Sequence, residues 1–143
     1  MNQRIGLKIK MIDNMIQKKI YQLMSKEEYS DLTFMNFWII NFIDEQKNRE
    51  VYQKDIEKQL SINRATASKM LATMEKKGLI VREESAEDKR LKRIVLRPKA
   101  RTYYENNKGF IDDLEEKMIE GISMEDLEAF ERVYKKIRQN LEE

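Results

Sequence analysis

The sequence predicts a mainly α-helical fold with one small β-hairpin, and three observations carry that expectation. Through most of the 143 residues, apolar side chains recur at steps of three and four, the spacing of one buried helical face. One stretch breaks the rhythm: Leu79, Ile80 and Val81 lead into a turn of Asp, Glu, Lys and Arg, and Ile94, Val95 and Leu96 lead out of it, the pattern of two short strands around a polar turn. Gly78 stands where a helix would close before the first strand, and Pro98 stands where another would open after the second.

The elements follow in order. Ile5, Ile9, Ile12, Ile16, Ile20 and Leu23 form the stripe of a first helix. Thr33 is a good N-cap for a second helix, TFMNFWIINFIDEQ, which is apolar on most sides and should be the most buried element. After the polar linker QKNRE, a short helix from Gln53 to Gln59 turns Ile56 and Leu60 inward. A tight turn, LSI, leads to Asn63, a strong N-cap for RATASKMLATMEKK. There Ala67, Met70, Leu71 and Met74 face one way, while Arg64, Thr66, Ser68, Lys69 and Thr73 lie largely elsewhere. The hairpin comes next, with Leu79 and Val81 expected opposite Ile94 and Leu96. Pro98 begins a long helix reaching about residue 120. Ser123 and Asp126 form a capping-box pattern before a last helix striped by Leu127, Phe130, Tyr134, Ile137 and Leu141.

Composition excludes several function classes. No run approaches 18 apolar residues, so no membrane span is expected, and the N-terminal segment lacks the apolar core of a signal peptide. The cytoplasm is the expected compartment. The chain has no cysteine, hence no disulfide or thiol sensor. It has no histidine, which removes the commonest zinc ligand, the commonest general base and every serine–histidine triad. No cofactor, no metal and no enzymatic activity are expected.

The net charge of +2 is unevenly spread: residues 51–101 hold 14 basic and 7 acidic side chains, net +7, inside an otherwise acidic body. That is the footprint of a polyanion binder. A short helix, a tight turn and a second helix form a helix-turn-helix, whose second helix enters the DNA major groove through its N-terminal part. Asn63, Arg64, Thr66, Ser68 and Lys69 carry the hydrogen-bonding groups that base edges and phosphates require. A hairpin directly after such a helix makes it a winged helix, with the wing tip over the minor groove, where an arginine is attracted by negative potential.

The stretch GLIVREESAEDKRLKRIVL resembles the wing of MarR-type transcription regulators, through Gly78, Leu79, Ile80, Arg82, Asp88 and Arg90. NRATASKMLATMEKKG is similar to that family's Ser/Thr-rich recognition helix ending in Glu-x-x-Gly. The resemblance implies that Arg90 reaches into the minor groove and that Asp88 orients it, with Lys89, Lys92 and Arg93 supplying phosphate contacts or field. It also implies release from DNA by a small lipophilic or phenolic effector, for which Tyr29, Phe34, Phe37 and Trp38 are the candidate contacts. Two departures stand out. Glu57 replaces the family's usual small residue, so it must be exposed or paired, and Leu96-Arg97-Pro98-Lys99-Ala100 replaces Leu-Thr-x-x-Gly.

The resulting expectation is a single domain, 1–143, with a winged helix-turn-helix at about 33–97 framed by dimerisation helices at about 1–24 and 98–143. The apolar stripes at the two chain ends are most easily buried against a second copy, giving a homodimer on a pseudo-palindromic double-stranded operator. The recognition helix, about 63–77, would read the major groove and the wing, about 79–96, the minor groove, in a repressor. A winged-helix module binding an acidic protein partner and an RNA-binding winged helix remain open at this point.

Overall fold

The computed structural model describes residues 4–24 and 34–142. Among the described residues, six helices and one two-stranded sheet follow in the order α1 (Ile5–Met24), α2 (Phe34–Glu45), α3 (Gln53–Leu60), α4 (Arg64–Lys76), β1 (Ile80–Glu84), β2 (Lys92–Leu96), α5 (Pro98–Met118) and α6 (Met124–Leu141). Thr33, the expected cap of α2, lies outside the described residues. No helix among the described residues is long and apolar enough to cross a membrane. The chain divides into two compact units, one ending at Asn106 and the other beginning at Asn107.

The core of the first unit is built from one face of each element. Ile39, Ile40 and Ile43 of α2 are buried, as are Ile56 of α3, Ala67, Leu71 and Met74 of α4, and Ile80 and Ile94 of the sheet. Fully burying side chains of this size stabilises by about 1.5–3 kcal/mol each before ordering costs. As its composition implies, α2 is the most apolar helix, and it packs against β2, while α3 and β1 pack against α4. Phe37 anchors the start of α5: its ring stacks on Tyr104 at 5.2 Å and meets Tyr103 edge-on at 6.4 Å. Arg101 Nη1 donates to Asp44 Oδ1 at 2.7 Å, fastening the same two helices.

The turn between α3 and α4 is closed by Ser61, which takes a left-handed conformation (φ 53°), and by the N–H of Ile62, which donates to the Glu57 carbonyl at 3.0 Å. Glu57, the residue at odds with the family pattern, is half-buried and accepts from Gln53 Nε2 at 3.3 Å. The helix pair thus accommodates it with a partner rather than as an unpaired buried charge.

The hairpin register differs by one residue from the sequence expectation. Ile80 lies opposite Leu96, Val81 opposite Val95 and Arg82 opposite Ile94. The cause is the end of α4. Gly78 (φ 77°) donates to the Glu75 carbonyl at 3.0 Å and Leu79 donates to the Met74 carbonyl at 3.0 Å, a complete Schellman closure. Leu79 is thereby spent on the helix cap and buried, and the strand begins at Ile80. A one-residue slip exchanges the faces, so Ile80 and Ile94 are buried and Val81 is not.

In the second unit, Gly121 (φ 78°) turns the chain and Ser123 caps α6, its Oγ accepting from the Asp126 N–H at 3.0 Å. None of the residues of α6 is buried: Phe130, Val133, Tyr134 and Leu141 are exposed along it. Ile5, Leu7, Ile9, Met11, Ile12 and Met15 are likewise exposed on α1 in the first unit.

Candidate nucleic-acid interface

The candidate interface is assembled from α4 and the wing. Helix α4 starts where Asn63 Oδ1 accepts from the Thr66 N–H at 2.8 Å, filling one orphan donor of the first turn. Ala67, Leu71 and Met74 then bury one face at steps of four and three. The opposite face presents Arg64, Thr66, Ser68 and Lys69, all exposed, as is Asn63 itself. The cap commits the Asn63 carbonyl oxygen to the helix. Sequence reading passed over Ala65 and Ala72, which sit at i and i+7 on this exposed face. Two exposed methyl groups on a helix surface are unremarkable in a sequence, but here they leave this exposed face low between the longer side chains.

The wing tip is held by polar bonds. Ser85 is buried, and its Oγ accepts from the N–H groups of Glu87 and Asp88, each at 3.1 Å. Asp88 Oδ1 accepts from the Arg90 N–H at 3.0 Å and from Arg90 Nε at 3.1 Å, while Oδ2 accepts from Nη2 at 3.0 Å. This fork holds the Asp88 carboxyl below the usual carboxylate range, chiefly through the Arg90 side chain. The arginine side chain is 89% exposed, so it is oriented without being enclosed. Lys89 and Lys92 are exposed, and among the described residues neither they nor Arg64 and Lys69 are held in an ion pair. Arg93 differs: its guanidinium reaches Glu83 at 3.3 Å and Glu50 at 3.6 Å, so its charge is already matched within the fold. Arg82 pairs with Glu75 of α4 at 3.3 Å, bracing the wing root against the recognition helix.

A model of the MarR family matches residues 30–91, the stretch from α2 to the wing tip. This winged helix-turn-helix is similar to that of the MarR family. Solved structures agree over nearly the whole chain. The transcription regulator MarR from Oenococcus oeni is 29% identical, with 94% of this chain and 98% of that one covered and a TM-score of 0.79. Streptococcus pneumoniae FabT, solved in complex with DNA, is 26% identical, with coverage of 98% and 96% and a TM-score of 0.72. Staphylococcus aureus MepR in its DNA complex shares the fold at 23% identity, with 97% of each chain covered and a TM-score of 0.85.

The residues expected at a MarR-family effector site fall in and around α2. Tyr29 lies outside the described residues, and only the backbone of Phe34 is described. Phe37 is buried in the aromatic cluster with Tyr103 and Tyr104, and Trp38 is half-buried, edge-on to Phe37 at 5.4 Å. A cleft of about 610 Å³ opens beside the end of α2 and the loop after it, lined by Asp44, Lys47, Arg49, Glu50, Arg93 and Arg101 among others. Its lining is charged, which suits water and ions better than a lipophilic molecule.

Proposed function

We propose that this chain is a homodimeric, DNA-binding transcription regulator of the MarR family, acting in the cytoplasm as a repressor. The observation that carries this reading is the pairing of a capped helix, exposing Arg64, Thr66, Ser68 and Lys69, with a wing whose Arg90 is held outward by Asp88. Arg64 and Lys69 suit guanine edges or phosphates, Thr66 and Ser68 either base edge, and the Ala65 methyl a thymine. Arg90 suits a narrow minor groove, and Lys89 and Lys92 its phosphate walls. Asn63 sets the start of the helix and keeps an amide donor at the groove edge. FabT, 26% identical over nearly the full length, was crystallised with DNA, and the O. oeni relative is named a transcription regulator.

The exposed apolar stripes on α1 and α6 support dimerisation. The whole of 1–143 then acts as one domain, 33–97 reading DNA and 1–24 and 98–143 assembling the dimer. Two-fold symmetry calls for a pseudo-palindromic operator with half-sites roughly 34–36 Å apart. A small lipophilic or phenolic effector at Tyr29, Phe34, Phe37 and Trp38 would act by shifting the spacing of the two reading heads. No enzymatic activity is assigned. A protein-interaction module for an acidic partner is the weaker reading, because Thr66, Ser68 and Ala65 add base-edge chemistry that a merely acidic surface does not need.

Selection of duplexes from a random pool tests the proposal. Enrichment of an inverted repeat supports it, and a pool that stays random through successive rounds refutes it.

A further inference from the structure

One run of four residues outside both reading elements touches both of them. Glu50 lies in the loop between α2 and α3, and its side chain is only 12% exposed. Its Oε2 accepts from the hydroxyls of Ser85 and Tyr52, the latter at 2.7 Å. Its Oε1 accepts from the Ala86 N–H at 3.0 Å and lies 3.6 Å from Arg93 Nη1. Val51 is buried, and its carbonyl accepts from the Ile94 N–H at 2.8 Å, adding a rung to β2. The Tyr52 N–H donates to Asp55 Oδ2 at 2.8 Å, fixing the first turn of α3. Gln53 Nε2 reaches the carbonyl of Arg64, the first residue of α4, at 3.4 Å.

We propose that Glu50–Gln53 is a strut that sets the wing tip relative to the recognition helix, with Glu50 as a positioning residue for Arg90. This rests on the DNA-reading role proposed above. The strand root needs no such help, because Leu79, Ile80 and Ile94 bury it. The tip, residues 85–91, has no fully buried apolar side chain, only the half-buried Leu91, and a set of polar bonds holds it. In that set Ser85 Oγ is the junction. It donates its one proton to Glu50, which turns its lone pairs toward the N–H groups of Glu87 and Asp88. Without the Glu50 carboxylate the hydroxyl has no fixed orientation, the turn that presents Asp88 loosens, and Arg90 loses its aim. A charge-assisted bond to a largely buried carboxylate is strong enough to make that difference. A neutral amide in the same place can keep one acceptor only.

The test combines two readouts on the full chain. Amide hydrogen exchange without DNA compares wild type with Glu50→Gln and Ser85→Ala. Fluorescence anisotropy against a selected duplex compares Glu50→Gln, Arg90→Ala and the double variant. The strut predicts faster exchange at Ala86, Glu87 and Asp88 with Val81 and Ile94 unchanged. It also predicts about ten-fold weaker DNA binding in Glu50→Gln, and no further loss when that change is added to Arg90→Ala. Unchanged exchange at the tip overturns the strut, whether or not DNA binds. Losses that multiply in the double variant overturn the route through Arg90. A wild-type protein that binds no duplex overturns the reading role itself.

Discussion

The Arg82 guanidinium and the Glu75 carboxylate meet at 3.3 Å, and the same carboxylate accepts the Arg82 backbone N–H at 3.2 Å, so the last turn of α4 is tied to the first strand of the wing twice. The two bonds are separable. Arg82→Ala removes the partly exposed ion pair and should cost about 1 kcal/mol or less. Glu75→Ala also orphans the backbone donor and should cost more. Urea denaturation of both variants checks the order, and equal costs would show that the backbone bond contributes nothing.

Asn63→Ala should destabilise the chain by about 1 kcal/mol through loss of the α4 cap and weaken DNA binding along with it. Asn63→Asp keeps an acceptor for the Thr66 N–H and should restore stability. It should not restore affinity, since it places a carboxylate at the groove edge. Denaturation and DNA titration of the two variants separate the roles. Recovery of both properties in Asn63→Asp would mean that the residue only caps.

The wing responds to acid in a definite direction. Arg90 holds the Asp88 carboxyl below its ordinary value of 3.8, and the Ser85 hydroxyl, followed by Tyr52, holds Glu50 below 4.5. A carboxylate with a depressed folded pKa contributes its full stabilisation above the unfolded value and loses it as pH falls through the folded one. The tip should therefore keep its order at neutral and mildly acidic pH and loosen only below the ordinary carboxylate range. A carbon-detected NMR titration should place the Asp88 midpoint below 3.8, and Arg90→Ala should raise it. A midpoint unaffected by Arg90→Ala would mean that the fork does not persist in solution.

The local signals in this sequence were legible because they act over a few residues. Asn63, Gly78 and Pro98 set the ends of α4 and the start of α5, and Asp88 lies close enough to Arg90 to be read as its partner. The hairpin register was not legible, because alternation alone cannot say that Leu79 belongs to a helix closure rather than to the strand. Glu50 was not legible either: Ser85 is 35 residues away, and an acid in the polar run QKNRE reads as solvated linker until the fold brings the two together. Arg82 and Arg93 stand in the sequence as two more cations of the wing, and their pairing with Glu75, Glu83 and Glu50 becomes visible only in the fold.

The α1 stripe gives a test of assembly. Ile9 and Ile12 are each more than half exposed in the single chain, a cost that a second copy would relieve. Sedimentation equilibrium should show twice the chain mass for wild type and the single-chain mass for Ile9→Glu/Ile12→Glu. A monomeric wild type would contradict the dimer and the inverted-repeat operator with it.

The most direct test of the central claim is an anisotropy titration of wild type and Arg90→Ala against a selected duplex and a scrambled one, each at several salt concentrations. The expected result is saturable binding that prefers the selected duplex. Arg90→Ala should bind more weakly, with the slope of log affinity against log salt reduced by about one. Equal binding of both duplexes by wild type, or equal affinity and slope in the variant, would contradict a sequence-reading helix partnered by an arginine-bearing wing.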